Sequence, residues 1–310
     1  MSTSDTTATT TTTRNPTPDL PTLTIPPTDP SIHTHTVIFL HGRGDNTRSF
    51  TRALHNWRHS RTGQTLFDTF PTFRWVFPQA PLRPVASTAD HFHQKVMHQW
   101  FDVWTARDFS LREDVQVEGL REMVPVVRTM LAREAGKLGG RWDRVVLAWI
   151  SMGAATGVHT LFNLDVSPGE NGGGLAAFMG FCGRCPFMGR SLAEMRAVLA
   201  LGEGVPPAGE NGVVRRTPVM LQHNVDDPLV LIERGRGLRD TLTGFGAQVE
   251  WREYATGGHW FQEPEGIDDA VEFLTRVVLG KGGSEVADAE GSGEDGQGQA
   301  AAEPETVGLS

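Results

Sequence analysis

Three stretches of the chain are apolar without interruption: "VIFL" inside "HTVIFLHG", "VVLAWI" inside "DRVVLAWIS", and "LAAFMGF". A strand with one wet face alternates apolar and polar residues. A continuously apolar strand is covered on both faces, as in a parallel sheet. "FRWVFPQAP", "TPVMLQHN" and "AQVEWREY" add three further strand-like segments. Helical spacing lies between them. Within 112–135, Leu120, Val124, Val127 and Leu131 share one face. Pro125 should bend that helix or mark its true start. Residues 153–164 read as a second helix. Over 265–279, Ile267, Val271, Leu274 and Val278 share a side, and acids near the start suit the helix dipole. The alternation predicts an α/β fold with helices on both faces of a mostly parallel sheet. "SPGENGGG" (167–174) and "LGEGVPPAGENGV" (201–213) lack periodicity and read as surface insertions. No internal repeat is visible.

Composition trims the two ends. Residues 1–32 are Thr- and Pro-rich with little to bury, and residues 281–310 are Gly-rich and acidic. Both read as disordered tails flanking one domain at 33–280. With 310 residues and 38% apolar content, that domain can build a substantial core. A net charge of −9 argues against nucleic acid as a partner. No run of 18 apolar residues marks a membrane-spanning helix. The N-terminus lacks the apolar centre of a signal peptide, so cytoplasmic residence is expected. Cys182 and Cys185, in "CGRC", cannot form a disulfide scaffold at this size. A zinc site would need about four ligands, and no second cysteine pair exists.

The chemistry concentrates where strands end. Ser151 follows a buried run and precedes Gly153, Ala154 and Ala155. That context reads as a nucleophile elbow, whose small residues permit close backbone approach. The alternative is a serine N-cap on an ordinary helix. A serine hydroxyl needs a base. His259, among glycines in "ATGGHWF" before the last helix, is the best placed; it could also be an ordinary loop histidine. The imidazole needs an orienting acid. "QHNVDDPLV" offers Asp226 and Asp227, or simply an Asx turn before Pro228. Ser, Asp, His is the chain order of the α/β-hydrolases. Acyl transfer also needs oxyanion donors. "FLHGRGD" provides a glycine-rich turn whose Arg43 N–H would pair with that of Met152, unless it is a plain strand-ending turn.

Together these segments resemble the acyl-protein thioesterase / carboxylesterase (lysophospholipase-like) branch of the α/β-hydrolases. "VIFLHGRGD", "FPQAPLRPV", "QWFDV", "WISMG", "HNVDDPLV" and "GGHWF" occur in that family's order over about 35–280. The resemblance implies a serine hydrolase of carboxylic esters or S-acyl thioesters, with no metal or organic cofactor. It implies Ser151 as nucleophile, His259 as base, Asp227 as acid, and backbone amides of Arg43 and Met152 as oxyanion hole. His41 would be structural. Trp100, Phe101 and Asp102 would wall the acyl pocket, with Trp149 beside the elbow also in the substrate site. S-acylated protein and lysophospholipid are the implied partners. Two departures stand out. Trp149 occupies the position of an elbow glycine and should crowd the turn or shift it. Asn224 also replaces a glycine, asparagine being one of the few residues that accept left-handed geometry. Trp149 keeps open an alternative: a catalytically weak or inactive relative acting as a binding module.

Overall fold

In the computed structural model, the described residues are 19–86, 95–105, 108–166, 172–202, 204–207 and 209–280. The elements run β1 (Thr22–Ile25), β2 (His35–Leu40), α1 (Thr47–Asn56), α2 (Leu66–Thr69), β3 (Phe73–Pro78), β4 (Leu82–Pro84), β5 (Val96–His98), α3 (Gln116–Lys137), β6 (Val145–Ile150), α4 (Gly153–Phe162), β7 (Ala177–Phe181), α5 (Leu192–Leu199), α6 (Gly212–Arg216), β8 (Val219–Asn224), α7 (Ile232–Gly244), β9 (Val249–Tyr254) and α8 (Glu265–Leu274). Seven strands form one sheet in the order β1-β3-β2-β6-β7-β8-β9, and β4 pairs with β5 in a small separate hairpin. Every neighbouring pair is parallel except β1 with β3. This is an α/β-hydrolase fold.

The uninterrupted apolar runs have a direct explanation. Along β6, Val145, Leu147 and Trp149 enter one core, and Val146, Ala148 and Ile150 enter the other. Neither face meets water, so neither can be polar. Leu120, Val124, Val127 and Leu131 of α3 cover the first face, as their spacing predicts. Ile267 and Leu274 of α8 cover the second, which is rich in aromatics. Pro125 lies inside α3 and does not mark its start. The last predicted helix is α8 continued by a π turn over Thr275–Leu279.

The N-terminal boundary needs correction. Thr22–Ile25 falls inside the segment read as a tail, yet it forms edge strand β1, paired from Thr22↔Pro78 to Ile25↔Trp75. Leu23 and Ile25 pack against the aromatic core. Flanking prolines suit a short edge strand, which lacks a partner on one side. Tail residues 1–18 and 281–310 lie outside the described residues. So do residues 167–171 of one expected insertion and residues 203 and 208 of the other, whose described residues before Gly212 belong to no helix or strand. No described helix is long and apolar enough to cross a membrane.

Candidate active site

Because β2, β6, β7, β8 and β9 are parallel, their C-terminal ends share one rim. The loops beyond β2, β6, β8 and β9 carry Arg43, Ser151, Asp227 and His259. Ser151 sits in the left-handed region at φ 56°, the strained geometry of a nucleophile elbow. Its N–H donates to the Phe181 carbonyl at 3.0 Å, anchoring the turn to β7. Gly153 cannot be larger: a Cβ there would lie 2.8 Å from the Leu40 carbonyl oxygen. At Gly42 it would lie 3.3 Å from the Ser151 Cβ. The Gly42 loop and the turn at Ser151 therefore approach closely.

Three side chains distant in sequence meet on this rim. His259 Nε2 lies 2.7 Å from Ser151 Oγ, and His259 Nδ1 lies 2.8 Å from Asp227 Oδ2. A carboxylate only accepts, so Nδ1 carries the proton and Nε2 is free to accept from the serine. Asp227 also makes the turn expected of Asp-Pro: Oδ1 accepts the N–H groups of Leu229 and Val230, both at 2.9 Å. The two readings of Asp227 hold together, one per oxygen. Burial alone would raise its pKa, but hydrogen bonds from His223, His259 and the Val230 amide outweigh burial and hold it well below the usual carboxylate range. Asp226 has a different task. Its carboxylate accepts from the N–H groups of Gly257 and Gly258 at 3.3 and 2.8 Å, fixing the loop before His259.

His41 is structural, as expected. Nδ1 lies 2.7 Å from the Gly42 carbonyl, and Nε2 accepts from the Ala80 N–H at 3.1 Å. Outside helices and strands, no backbone hydrogen bond from the Arg43 or Met152 amide occurs among the described residues. Both residues line a pocket of about 280 Å³ together with Ser151, Ala155, Leu229, Val230 and His259; Gly44, Met97, Phe109 and Arg184 complete it. A second cavity of about 170 Å³ lies by α6 between Leu164, Arg196 and Asn211, and contains none of these groups.

The sequence model of the phospholipase/carboxylesterase family matches residues 24–278. The chain belongs to this family. Acyl-protein thioesterase 1 of Gibberella zeae is 29% identical over 252 residues, covering 80% of this chain and 92% of the relative. A rice protein named "Probable inactive carboxylesterase" is 27% identical over 250 residues, covering 78% of this chain and 84% of its own. Among solved structures, maize acyl-protein thioesterase 2 superposes with a TM-score of 0.58 at 24% identity, covering 83% of this chain and 99% of that one.

Three residues expected in the substrate site of this phospholipase/carboxylesterase family member are elsewhere. Trp100, Phe101 and Trp149 are all buried, and none lines the pocket. Trp100 Nε1 donates to the His41 carbonyl at 2.8 Å, so it braces the Arg43 loop from behind. Phe101 packs so closely on α3 that a Cβ at Gly119 would lie 2.5 Å from its Cα. Asp102 Oδ1 accepts the Val103 and Ala86 N–H groups at 2.9 and 3.2 Å and is likewise no pocket wall.

Trp149 neither blocks nor displaces the elbow. Its side chain leaves the sheet beneath the turn and fills a hollow left by three glycines. A Cβ would come within 2.5 Å of the indole at Gly157, 1.9 Å at Gly180 and 2.3 Å at Gly183. The missing elbow glycine is offset by small residues on α4 and around the end of β7. Asn224 is also explained differently. It is the last residue of β8 and is absent from the positive-φ residues. Its side-chain amide donates to the Gly258 and Trp260 carbonyls, both at 2.8 Å, and ties down the His259 loop.

Sequence reasoning missed Cys182 and Arg184. Cys182, at φ 48°, directly follows β7 beside the relay; Sγ and ligand atoms of Asp227 and His259 lie within 4.8 Å of one another. Burial, reinforced by the Asp227 carboxylate, pushes its thiol up to about 12. Cys185 is buried too, and both cysteines are free. Position at the end of a buried strand was the available signal for both Cys182 and Arg184; the C-x-x-C spacing drew attention away from it.

Proposed function

We propose that the chain is a serine hydrolase that cleaves carboxylic esters or S-acyl thioesters through an acyl-enzyme. The observation that carries this reading is the continuous relay from Ser151 Oγ through His259 to Asp227. Ser151 attacks the acyl carbonyl while His259 Nε2 takes its proton. Asp227, held ionised by its hydrogen bonds, stabilises the resulting imidazolium. The Arg43 and Met152 N–H groups donate to the developing oxyanion between loop and elbow. His259 then gives the proton to the departing alcohol or thiol. Water, deprotonated by the same histidine, releases the acid. Acyl-protein thioesterase relatives support an S-acylated protein as substrate, and lysophospholipid is the small-molecule counterpart. Cytosolic residence, where two free thiols are stable, belongs to the same reading.

Two observations favour a second reading: the rice relative bears an inactive carboxylesterase's name, and here Trp149 stands where the G-x-S-x-G pattern has its first glycine. The hollow that accepts the indole and the intact relay argue for activity. A fluorophosphonate probe tests the choice. Labelling abolished by Ser151→Ala supports the hydrolase; failure to label folded wild-type protein supports a binding module. A p-nitrophenyl ester series from acetyl to palmitoyl, with a palmitoyl thioester alongside, then sets chain length and the ester-to-thioester preference.

A further inference from the structure

Two arginines, Arg43 and Arg184, are among the residues lining the pocket that contains Ser151 and His259, and among the described residues no carboxylate side chain lines it. Both hydrogen-bond to neutral amide oxygens, and the Asp102 carboxylate, which is not part of the lining, acts on Arg43 from behind. Arg43 Nε donates to Gln99 Oε1 at 2.8 Å, and Arg184 Nη2 to Gln116 Oε1 at 2.7 Å. Arg43 Nη2 is buried with no hydrogen-bond partner. Arg184 is 6% exposed and lies over the Phe109 ring, its guanidinium carbon 4.1 Å from the centroid. Glu113 is its nearest compensating charge, but Glu113 Oε1 is engaged by the Phe187 N–H at 2.7 Å. Burial pushes Arg184 down to about 10, so it remains charged at neutral pH. Buried charges are normally paired. Here two arginines border one cavity beside the nucleophile, their compensating carboxylates Asp102 and Glu113 lie outside its lining, and an anion entering it would give both a further partner.

We propose that the pocket selects substrates with an anionic group, a carboxylate or a phosphate, close to the scissile acyl bond, held by Arg43 and Arg184. This rests on the hydrolase reading above and narrows its substrate class. The guanidinium fork suits such oxygens because it offers parallel N–H donors. Phe109, Met97 and Leu229 supply the apolar wall for the rest of the molecule.

The test compares kcat/KM of wild type, Arg184→Met and Arg43→Leu on matched ester pairs, each corrected for its hydrolysis in buffer. The p-nitrophenyl half-ester of glutaric acid against p-nitrophenyl valerate puts the charge on the acyl side. The acetate esters of para-hydroxybenzoate and para-hydroxybenzamide put it on the leaving side. The ratio within a pair is read, so a general loss of activity cancels. The expected result is a preference of about tenfold for the charged member of at least one pair, lost in Arg184→Met and Arg43→Leu and shrinking as salt is raised. Hydrolysis with no charged preference in either pair, or a preference that survives both substitutions, overturns the inference and leaves the hydrolase reading standing. If no ester turns over, calorimetric titration of glutarate into the Ser151→Ala protein decides. Binding that Arg184→Met weakens supports the arginine pair while the hydrolase reading fails; absence of binding sinks both.

Discussion

The elbow at Ser151 is built on different terms above and below. On the rim, polar atoms meet partners at fixed separations, 2.7 Å to the serine and 2.8 Å to the aspartate. Beneath, two residues earlier on the same strand, Trp149 is buried and its Nε1 has no hydrogen-bond partner. It is held by volume alone, in the hollow left by Gly157, Gly180 and Gly183. In the proposed hydrolase the rim tolerates little change, because proton transfer depends on particular atoms at hydrogen-bonding range. The underside tolerates a large change provided its neighbours shrink to match, because close packing constrains total volume more than identity. A glycine-to-tryptophan departure can therefore sit next to an unaltered relay.

That contrast is broken or sharpened by substitutions on each side. Ser151→Ala should lower kcat on any accepted ester by about ten-thousand-fold or more with its urea unfolding midpoint little changed, and Asp227→Asn should lower kcat by a comparable factor. A large loss of stability in Ser151→Ala would show that rim and underside are not separable. Trp149→Ala should do the opposite: it opens a cavity costing about 3–5 kcal/mol in urea unfolding, while kcat of the folded fraction stays within about tenfold. Gly180→Ala should cost about 1–3 kcal/mol by overpacking. Combining it with Trp149→Phe should recover part of that loss, giving a coupling energy in a double-mutant cycle. Purely additive effects would mean that the indole and Gly180 do not compete for space.

Acid should reach the underside before it reaches the relay's carboxylate. His159, fully buried on α4, is pushed by burial from 6.5 down to about 4. The unfolded chain takes up a proton below its ordinary pKa while the native chain refuses it until about 4. Stability is then complete above about 6.5 and is lost as pH falls to about 4, on the order of 3 kcal/mol from this group. His159→Leu should flatten the urea-unfolding pH profile in that window; an unchanged slope would assign the acid sensitivity elsewhere. Asp227, held below the ordinary carboxylate range, keeps its charge across the same window. The smallest effect belongs at the exposed edge, far from either side of the elbow. Arg236 and Glu253 join α7 to β9 by two hydrogen bonds of 2.8 Å. Arg236→Ala should nevertheless barely move the urea unfolding midpoint, because water and salt screen such a pair.

Six strands and three helices stood out along the chain because their signals are local. A run such as "VVLAWI" reports its own burial on two faces, and four residues of α3 report one face. β1 did not stand out: four residues between prolines look like a tail until Leu23 and Ile25 meet an aromatic core assembled from distant segments. Trp100 and Phe101 show the same limit. An aromatic beside a functional loop can wall a pocket or fill a core, and composition does not distinguish the two.

The sequence by itself determined the layered α/β architecture, the order of the strands along the chain, and which serine, aspartate and histidine stand at strand ends. Those features are written in residue spacing, which backbone geometry converts directly into faces and turns. Tertiary structure alone decided that Trp149 packs downward, that Asn224 and Asp226 hold the His259 loop, and that Arg43 and Arg184 share a cavity. Arg43 and Gln99 are 56 residues apart, and the His259 and Ser151 side chains are separated by 108. Contacts across such distances have no local periodicity to announce them; they exist only once the sheet has brought its carboxyl ends to a common edge.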